Sequence, residues 1–218
     1  MAEVNLLARL PATKRNIQKR AEAQTAENIA VAREYGEIYF DGPRELGYGG
    51  YRYDGRWIPI AEDIVRHFGL EPGDRVLDVG CAKGFLVRDL MTVCPGLEAF
   101  GLDISHYALT HAEPAATGRF VEGSAEHLPF ASESFDAVLS INTIHNLPRE
   151  EARQAIAEIE RLAPGKGYIQ VDSYRSDEQR EIFLSWVLTA KFHDFPEGWI
   201  QLFREAGYTG DWNWTIVE

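Results

Sequence analysis

Cysteine and long apolar segments are scarce in this chain. Its 218 residues include two cysteines, Cys81 and Cys94, which are too few for a disulfide framework and lack a four-ligand zinc spacing. No apolar run approaches the roughly 20 residues that cross a bilayer. The first residues also lack the apolar core of a signal peptide. The sequence therefore predicts a cytoplasmic protein with reduced thiols, no membrane span and no metal site.

Basic residues are also fewer than acidic residues in this chain. The chain has 22 Lys and Arg residues against 34 Asp and Glu residues, a net charge of −12, and such a field repels a phosphate backbone. A nucleic acid partner is therefore not expected. The first 20 residues are an exception, with five basic side chains and one acidic side chain. We interpret this segment as a solvated helix face rather than a membrane contact.

Strand-like and helix-like segments alternate from residue 75 onward. Short apolar runs predict strands at 75–79, 99–103, 119–122, 135–141, 168–173 and 211–217. Helical patterns lie between them at 85–92, 107–112, 149–162, 176–190 and 196–206. This alternation predicts an α/β domain over residues 75–218, with a doubly wound, mostly parallel, Rossmann-like sheet covered by helices on both faces.

We expect residues 1–74 to form an N-terminal helical and loop extension of that domain. An alanine-rich, polar pattern predicts a helix over 13–35 that ends at Gly36. A second helix is predicted over 58–68, and Gly69 is a suitable residue to end it.

The segment between these two helices is rich in glycine and tyrosine. Residues 41–57 contain five glycines interleaved with aromatic side chains, and so much backbone freedom is incompatible with a helix. Glycines allow a loop to close, and tyrosines offer flat surfaces with a hydroxyl group. We therefore predict a lid in which Tyr48 and Tyr51 contact the substrate, whereas Trp57 is interpreted as a packing residue.

The first predicted strand leads into a loop suited to an amino-acid head group. Gly80 and Gly84 allow close backbone approach, and the following helix presents a positive N-terminal end that favours a carboxylate. Asp78 could accept hydrogen bonds from an ammonium group. The second strand ends at Asp103, 19 residues after Gly84, where a carboxylate hydrogen-bonds ribose hydroxyls in Rossmann-type sheets. A short polar side chain after the third strand could reach an adenine edge.

Five segments in this order resemble the class I S-adenosylmethionine-dependent methyltransferases. They are VLDVGCAKG, GLDIS, GSAEHLPF, SFDAVLSINTIHNL and RLAPGKGYIQVDSY, and the resemblance runs from about residue 73 to residue 174. Five motifs in register are a much stronger signal than one glycine loop. The resemblance implies S-adenosylmethionine as cofactor and methyl transfer as activity.

The resemblance also implies which residues hold the cofactor. They are Asp78, Gly80, Ala82 and Gly84 at the methionine end, Asp103 with Ile104 at the ribose, Ser124, Ala125 and Glu126 at the adenine, and Asn142 under the cofactor. Two positions depart from the family pattern, which usually has glycine at Ala82 and more often aspartate at Ser124. The family fold ends in an antiparallel hairpin, but only about a dozen residues follow Ala206, so a seventh strand is expected to be short or absent.

Three residues near the predicted strand ends are candidates for catalysis. His145 lies three residues after Asn142 and is either a general base or a hydrogen-bonded structural histidine. Asp172 and Tyr174 flank the end of the fifth strand, where alternation places them on one face and where they could orient the acceptor. Alternatively, Asp172 caps a helix or pairs with Arg175.

Polar residues after the next helix could reach over the same site. His193 is predicted to contact the substrate, and Lys191 and Asp194 lie beside it. A metal site at His193 and Asp194 is not expected, because no further ligand pattern accompanies them.

These features favour a methyltransferase that acts on a small molecule. The aromatic lid suggests a sugar or nucleotide-sugar hydroxyl as acceptor. One alternative is a nicotinamide-dependent oxidoreductase, since Asp103 could hold a dinucleotide ribose, although Gly80 and Gly84 enclose GxxxG rather than GxGxxG and Asp78 would repel a pyrophosphate. Another is a non-catalytic cofactor-binding subunit of a larger complex. A homodimer is left open.

Overall fold

The computed structural model describes residues 1–11 and 16–217, and a six-stranded sheet lies at its centre. The strands are β1 (Arg75–Val79), β2 (Glu98–Asp103), β3 (Phe120–Glu122), β4 (Ala137–Ile141), β5 (Gly167–Ser173) and β6 (Asp211–Ile216). Their order across the sheet is β3-β2-β1-β4-β5-β6, and neighbouring strands are parallel throughout. The order reverses between β1 and β4, which is where such sheets bind ligands.

Nine α-helices are assigned within the described ranges. They are α1 (Ile17–Glu22), α2 (Ala26–Ala32), α3 (Glu37–Asp41), α4 (Ile58–Phe68), α5 (Phe85–Val93), α6 (His106–Thr110), α7 (Arg149–Leu162), α8 (Asp177–Trp186) and α9 (Pro196–Glu205). None of these helices has both the length and the apolar character needed to cross a membrane.

The sheet separates two apolar cores. Successive residues of a strand point to opposite faces, so Leu77 and Val79 pack with α7 and α9 whereas Val76 packs with α4 and α5. Each core helix carries an apolar stripe, as at Ala152 and Ile156 in α7. The predicted α/β, doubly wound, Rossmann-like fold is therefore confirmed.

The structure adjusts several predicted boundaries. The edge strand β6 pairs in parallel with β5, and the described residues form no antiparallel hairpin after it. Helix α8 ends at Trp186 rather than at residue 190. The predicted single helix over 13–35 is wrong where it can be compared, because the chain breaks between α1 and α2; residues 13–15 lie outside the described ranges.

The break before α2 has a local cause. Thr25 adopts an extended backbone conformation, and its hydroxyl accepts a hydrogen bond from the Asn28 backbone N–H. Threonine favours this capping position because its side chain satisfies a free N–H at the start of a helix. Gly36 was predicted to end the long helix but instead precedes α3, of which it is the N-cap residue.

The first residues of the chain pack against the outer edge of the sheet. The Val4 N–H donates to the Trp212 carbonyl oxygen at 2.8 Å, and the Trp212 N–H donates to the Ala2 carbonyl oxygen at 3.0 Å. The Leu6 N–H donates to the Tyr168 hydroxyl. These contacts occupy backbone groups of β6 that an edge strand would otherwise leave unpaired.

Candidate active site

Two adjoining cavities lie at the carboxyl ends of the central strands. Parallel strands bring their carboxyl ends to one edge of the sheet, so the loops after β1, β2, β3 and β4 meet there. The larger cavity has a volume of about 460 Å³ and the smaller about 140 Å³. Both are lined by Tyr39, Tyr48, Gly80, Ala82, Ile141 and Asn142. The pair can therefore hold one extended ligand.

The loop after β1 turns sharply beneath the two cavities. Gly80, Ala82 and Gly84 all have positive φ angles, at 83°, 50° and 71°, a region that costs a residue with a Cβ atom free energy. A Cβ atom on Gly80 would lie 2.0 Å from the Thr143 Oγ1 atom, and one on Gly84 would lie 2.3 Å from a ring carbon of Phe120. Both positions therefore require glycine, whereas Ala82 tolerates its methyl group.

We expect Gly80→Ala to lower the free energy of unfolding by about 2–5 kcal/mol, because left-handed backbone strain and overpacking against Thr143 add together. Gly118 provides a matched control, since its φ of 81° is nearly that of Gly80 (83°) and a Cβ atom there would meet no atom within 4 Å. Gly118→Ala should cost only about 1–2 kcal/mol. Urea denaturation of both variants measures the difference, and equal losses would contradict the steric argument.

Asp78 and Asp103 place two buried carboxyl groups at this edge. Burial, together with repulsion by Asp103, raises the pKa of Asp78 to about 7. Burial also raises the pKa of Asp103, although hydrogen bonds from backbone N–H groups oppose the shift. An ammonium group beside Asp78 would stabilise its charged form and offset this penalty.

Two backbone N–H groups hold the Asp103 carboxylate in place. Ala82 N donates to Oδ2 at 2.7 Å, and Ser105 N donates to Oδ1 at 2.8 Å. Each carboxylate oxygen can accept more than one hydrogen bond, so the oriented group can still accept from a diol. Asp103 lines the smaller cavity.

Most of the predicted cofactor residues come together here. Asp78, Gly80, Ala82 and Asn142 line the larger cavity, and Asp103, Ile104, Ser124, Ala125 and Asn142 line the smaller one. Gly84 and Glu126 line neither cavity: Gly84 is the N-cap residue of α5, and a Glu126 oxygen lies 3.9 Å from His127.

His145 is buried beside Asp172. Its Nδ1 atom accepts a hydrogen bond from the Asp172 backbone N–H at 3.0 Å, and its Nε2 atom lies 3.5 Å from the Asp172 Oδ2 atom. Burial lowers the pKa of His145 and so favours the neutral ring, and the hydrogen bond accepted by Nδ1 leaves the ring proton on Nε2. The nitrogen that carries a lone pair is thus already engaged with the backbone. Both residues line the larger cavity.

Tyr174 and His193 lie together, but they line neither cavity. The Tyr174 hydroxyl and the His193 Nδ1 atom are 3.0 Å apart, and the Tyr174 ring packs edge-on against Phe195. The geometry does not support their predicted contacts with acceptor and substrate. Arg175 pairs with Glu3 at 2.8 Å, not with Asp172. Within residues 1–11 and 16–217, no three His, Cys, Asp or Glu side chains cluster as metal ligands.

The glycine- and tyrosine-rich segment forms one wall of the larger cavity. Tyr48 N donates to the Tyr39 carbonyl oxygen, and Gly50 N and Tyr51 N donate to that of Phe40. The Tyr51 ring stacks on Phe85 with 4.7 Å between ring centroids. Tyr48 and Tyr51 both line the cavity.

Other lining residues were not found from the sequence. They include Arg20 in α1, Tyr39 in α3, Arg44 in the short 3-10 helix Arg44–Leu46, and Trp186 at the end of α8. Local periodicity carried no signal for them, because the elements that bear them reach the cavity only through tertiary packing.

Residues 77–171 match a protein family described as a methyltransferase domain. The sterol 24-C-methyltransferase of Schizosaccharomyces pombe is 30% identical over 154 residues, which cover 60% of this chain and 40% of that protein. The fatty-acid O-methyltransferase of Mycolicibacterium smegmatis is 32% identical over 167 residues, covering 69% of this chain and 60% of that protein. The chain thus spans less than two thirds of the length of these curated relatives.

Solved structures have a similar fold. A chain in the complex between the Haloferax volcanii Trm112 methyltransferase activator and a methyltransferase gives a TM-score of 0.55 at 26% identity, covering 67% of this chain and 66% of that chain. A Bacillus halodurans protein described as a methyltransferase gives 0.54 at 19% identity, with coverage of 67% and 68%. The second likeness, at this low identity, concerns the fold alone.

Proposed function

We propose that the chain is a class I S-adenosylmethionine-dependent methyltransferase that transfers the methyl group of S-adenosylmethionine to a small molecule. The observation that carries this proposal is the placement of Asp78 and Asp103 in adjoining cavities at the strand ends. The family that matches residues 77–171 is a methyltransferase domain. A nicotinamide-dependent oxidoreductase is therefore not proposed.

The residues present fit this cofactor. Asp78 would accept hydrogen bonds from its ammonium group, and the start of α5 would face its carboxylate. Asp103 would accept from the ribose hydroxyls, while Ser124 and Ala125 border the smaller cavity where the adenine would lie. When bound, the cofactor supplies a methyl group activated by a sulfonium. The chain's own task is then to orient an acceptor and remove its proton.

Asp172 is the better candidate for the group that removes the proton. The Nδ1 lone pair of His145 accepts the Asp172 backbone N–H, so His145 has no free lone pair for an acceptor hydroxyl. The Asp172 carboxylate lines the cavity, and its Oδ2 atom lies 3.5 Å from the His145 Nε2 atom. In this arrangement Asp172 takes the proton, and His145 is a positioning residue that holds the backbone and side chain of Asp172.

A sugar hydroxyl is the acceptor that the aromatic wall suggests. Tyr48 is 39% exposed and Tyr51 lies beside it, with 4.4 Å between ring centroids and 42° between ring planes, so the wall offers two aromatic rings that carry hydroxyl groups. We also propose that the glycine- and tyrosine-rich segment over residues 41–57 closes over the acceptor as a lid. The division of the chain into an extension over residues 1–74 and a domain over residues 75–218 is likewise a proposal.

Calorimetry with S-adenosylhomocysteine, the demethylated product, tests the cofactor site. We expect micromolar binding to the folded protein, and methyl transfer from radiolabelled S-adenosylmethionine to small acceptors tests the activity itself. If no binding heat is measured on a sample whose cooperative unfolding transition shows that it is folded, the proposal is wrong. Binding without transfer to any acceptor would favour a non-catalytic subunit.

A further inference from the structure

Two arginines from the N-terminal segment converge on the larger cavity. Arg20 donates from Nη2 to the Gly47 carbonyl oxygen at 3.0 Å. Arg44 donates from Nη1 to the same oxygen at 3.2 Å and to the Tyr48 carbonyl oxygen at 2.9 Å. Both guanidinium groups lie over the Trp186 ring, at 4.5 and 5.9 Å from its centroid. The two positive charges therefore share one small region of the cavity wall.

Within the part of the chain that the structure describes, neither guanidinium group forms a salt bridge with a carboxylate; Glu45, which pairs with Lys19, attracts Arg20 only at longer range. Other cations near them are neutralised: Lys19 pairs with Glu45, and Arg56 pairs with Asp54 at 2.5 Å. Arg20 is only 6% exposed, and burial, together with the charge of Arg44, lowers its pKa to about 10. A buried charge that lacks a directly paired counterion destabilises the protein, and a bound anion would offset that penalty.

Charge is distributed unevenly around the cavity. The chain carries a net charge of −12, yet Arg20, Arg44 and Arg52 line this cavity, together with Arg56, whose charge Asp54 offsets. Its carboxylates, Asp78 and Asp172, lie at the ends of strands. The arginines come from the segment before the sheet, so positive charge is concentrated on the N-terminal wall.

On the premise of the proposed methyltransferase function, we propose that Arg20 and Arg44 bind an anionic group of the methyl acceptor, a carboxylate or a phosphate. A guanidinium has five N–H donors in a planar fork, and the contacts above leave donors free on both side chains. Such forks match the oxygen atoms of carboxylates and phosphates. The acceptor is thus an organic anion, held by its charged end on the N-terminal wall while its hydroxyl faces Asp172.

Binding of matched anionic and neutral ligands tests this inference. Protein saturated with S-adenosylhomocysteine is titrated by calorimetry with octanoate and octanamide, and with glucose 6-phosphate and glucose. At least one anion should bind about 10- to 100-fold more tightly than its neutral counterpart. The pair that shows the preference distinguishes a carboxylate from a phosphate.

Arg20→Gln and Arg44→Gln should abolish this preference while leaving the affinity for the neutral ligand unchanged. Glutamine still offers an N–H donor to the Gly47 carbonyl oxygen, so a purely structural role would survive the substitution. Arg56→Gln is the matched control, because Asp54 already neutralises Arg56, and it should keep the preference. S-adenosylhomocysteine affinity reports whether each variant is folded.

Three results would overturn the anion site: no anion that binds at millimolar concentration, equal binding within both pairs, or an equal loss in Arg56→Gln. Failure of the wild-type protein to bind S-adenosylhomocysteine would instead count against the methyltransferase proposal. The two failures are therefore distinguishable.

Discussion

Asp172→Asn is expected to lower kcat by about 10²- to 10⁴-fold, the range lost when a general base is removed. The amide cannot accept the acceptor's proton, but it keeps the size of the carboxylate and the backbone N–H that donates to His145. The affinity for S-adenosylhomocysteine should change little, since Asp172 lies at the end of β5, away from Asp78 and Asp103 in the sheet order. Steady-state rates with an acceptor found in the transfer screen give kcat.

A nearby exposed aspartate controls for the loss of charge. Asp177 lies in the first turn of α8, and Asp177→Asn should leave kcat unchanged. His145→Gln separates the two possible roles of the pair: a positioning role predicts a smaller loss than in Asp172→Asn, whereas a larger loss would identify His145 as the base. Undiminished kcat in Asp172→Asn would refute its role.

Asp103→Asn should raise the Kd of S-adenosylhomocysteine by roughly 100-fold or more. Hydrogen bonds to a charged acceptor contribute about 1.5–3 kcal/mol each, and in this variant two ribose hydroxyls lose their charged acceptor. Asparagine retains one acceptor oxygen, so one of the two N–H donors, Ala82 N or Ser105 N, keeps its partner. The choice of Asn over Ala therefore limits damage to the loop. Calorimetry gives the Kd directly.

Glu122→Gln is the control for this variant. Glu122 ends the neighbouring strand β3, pairs with His106 at the surface and lines neither cavity. Its substitution should leave the Kd unchanged. Equal affinities of wild type and Asp103→Asn would show that the ribose is bound elsewhere and would remove the main support for the assigned site.

The sheet could be predicted because its signals are local. Short apolar runs separated by helical patterns identify six strands, and a chain that alternates in this way has few ways to cover both faces of a sheet. The loop after β1 could also be predicted from its two glycines. The structure explains why they are glycines, because a Cβ atom on Gly80 or Gly84 would clash with a neighbouring side chain. The termini of several strands and helices differ from the prediction, and the single helix predicted over 13–35 is divided because Thr25 starts a new helix.

The wall of the site that faces the acceptor could not be predicted in this way. Arg20 and Trp186 are 166 positions apart in the chain, and their contact follows from the packing of α1 against α8. Tyr174 was expected beside Asp172 by strand alternation, but β5 ends at Ser173. Alternation holds only within a strand, so the backbone after Ser173 directs Tyr174 towards Phe195 instead.

The two halves of the candidate site come from different parts of the chain. Asp78 and Asp103, which are proposed to hold the donor, lie on strands of the sheet, whereas Arg20 and Arg44 precede the first strand. Under the proposed function, substitutions at Arg20 and Arg44, which line the larger cavity and not the smaller one, would change which acceptor binds without altering Asp78 or Asp103. Natural selection, or a directed-evolution library confined to those early positions, could diversify chemistry on an unchanged scaffold.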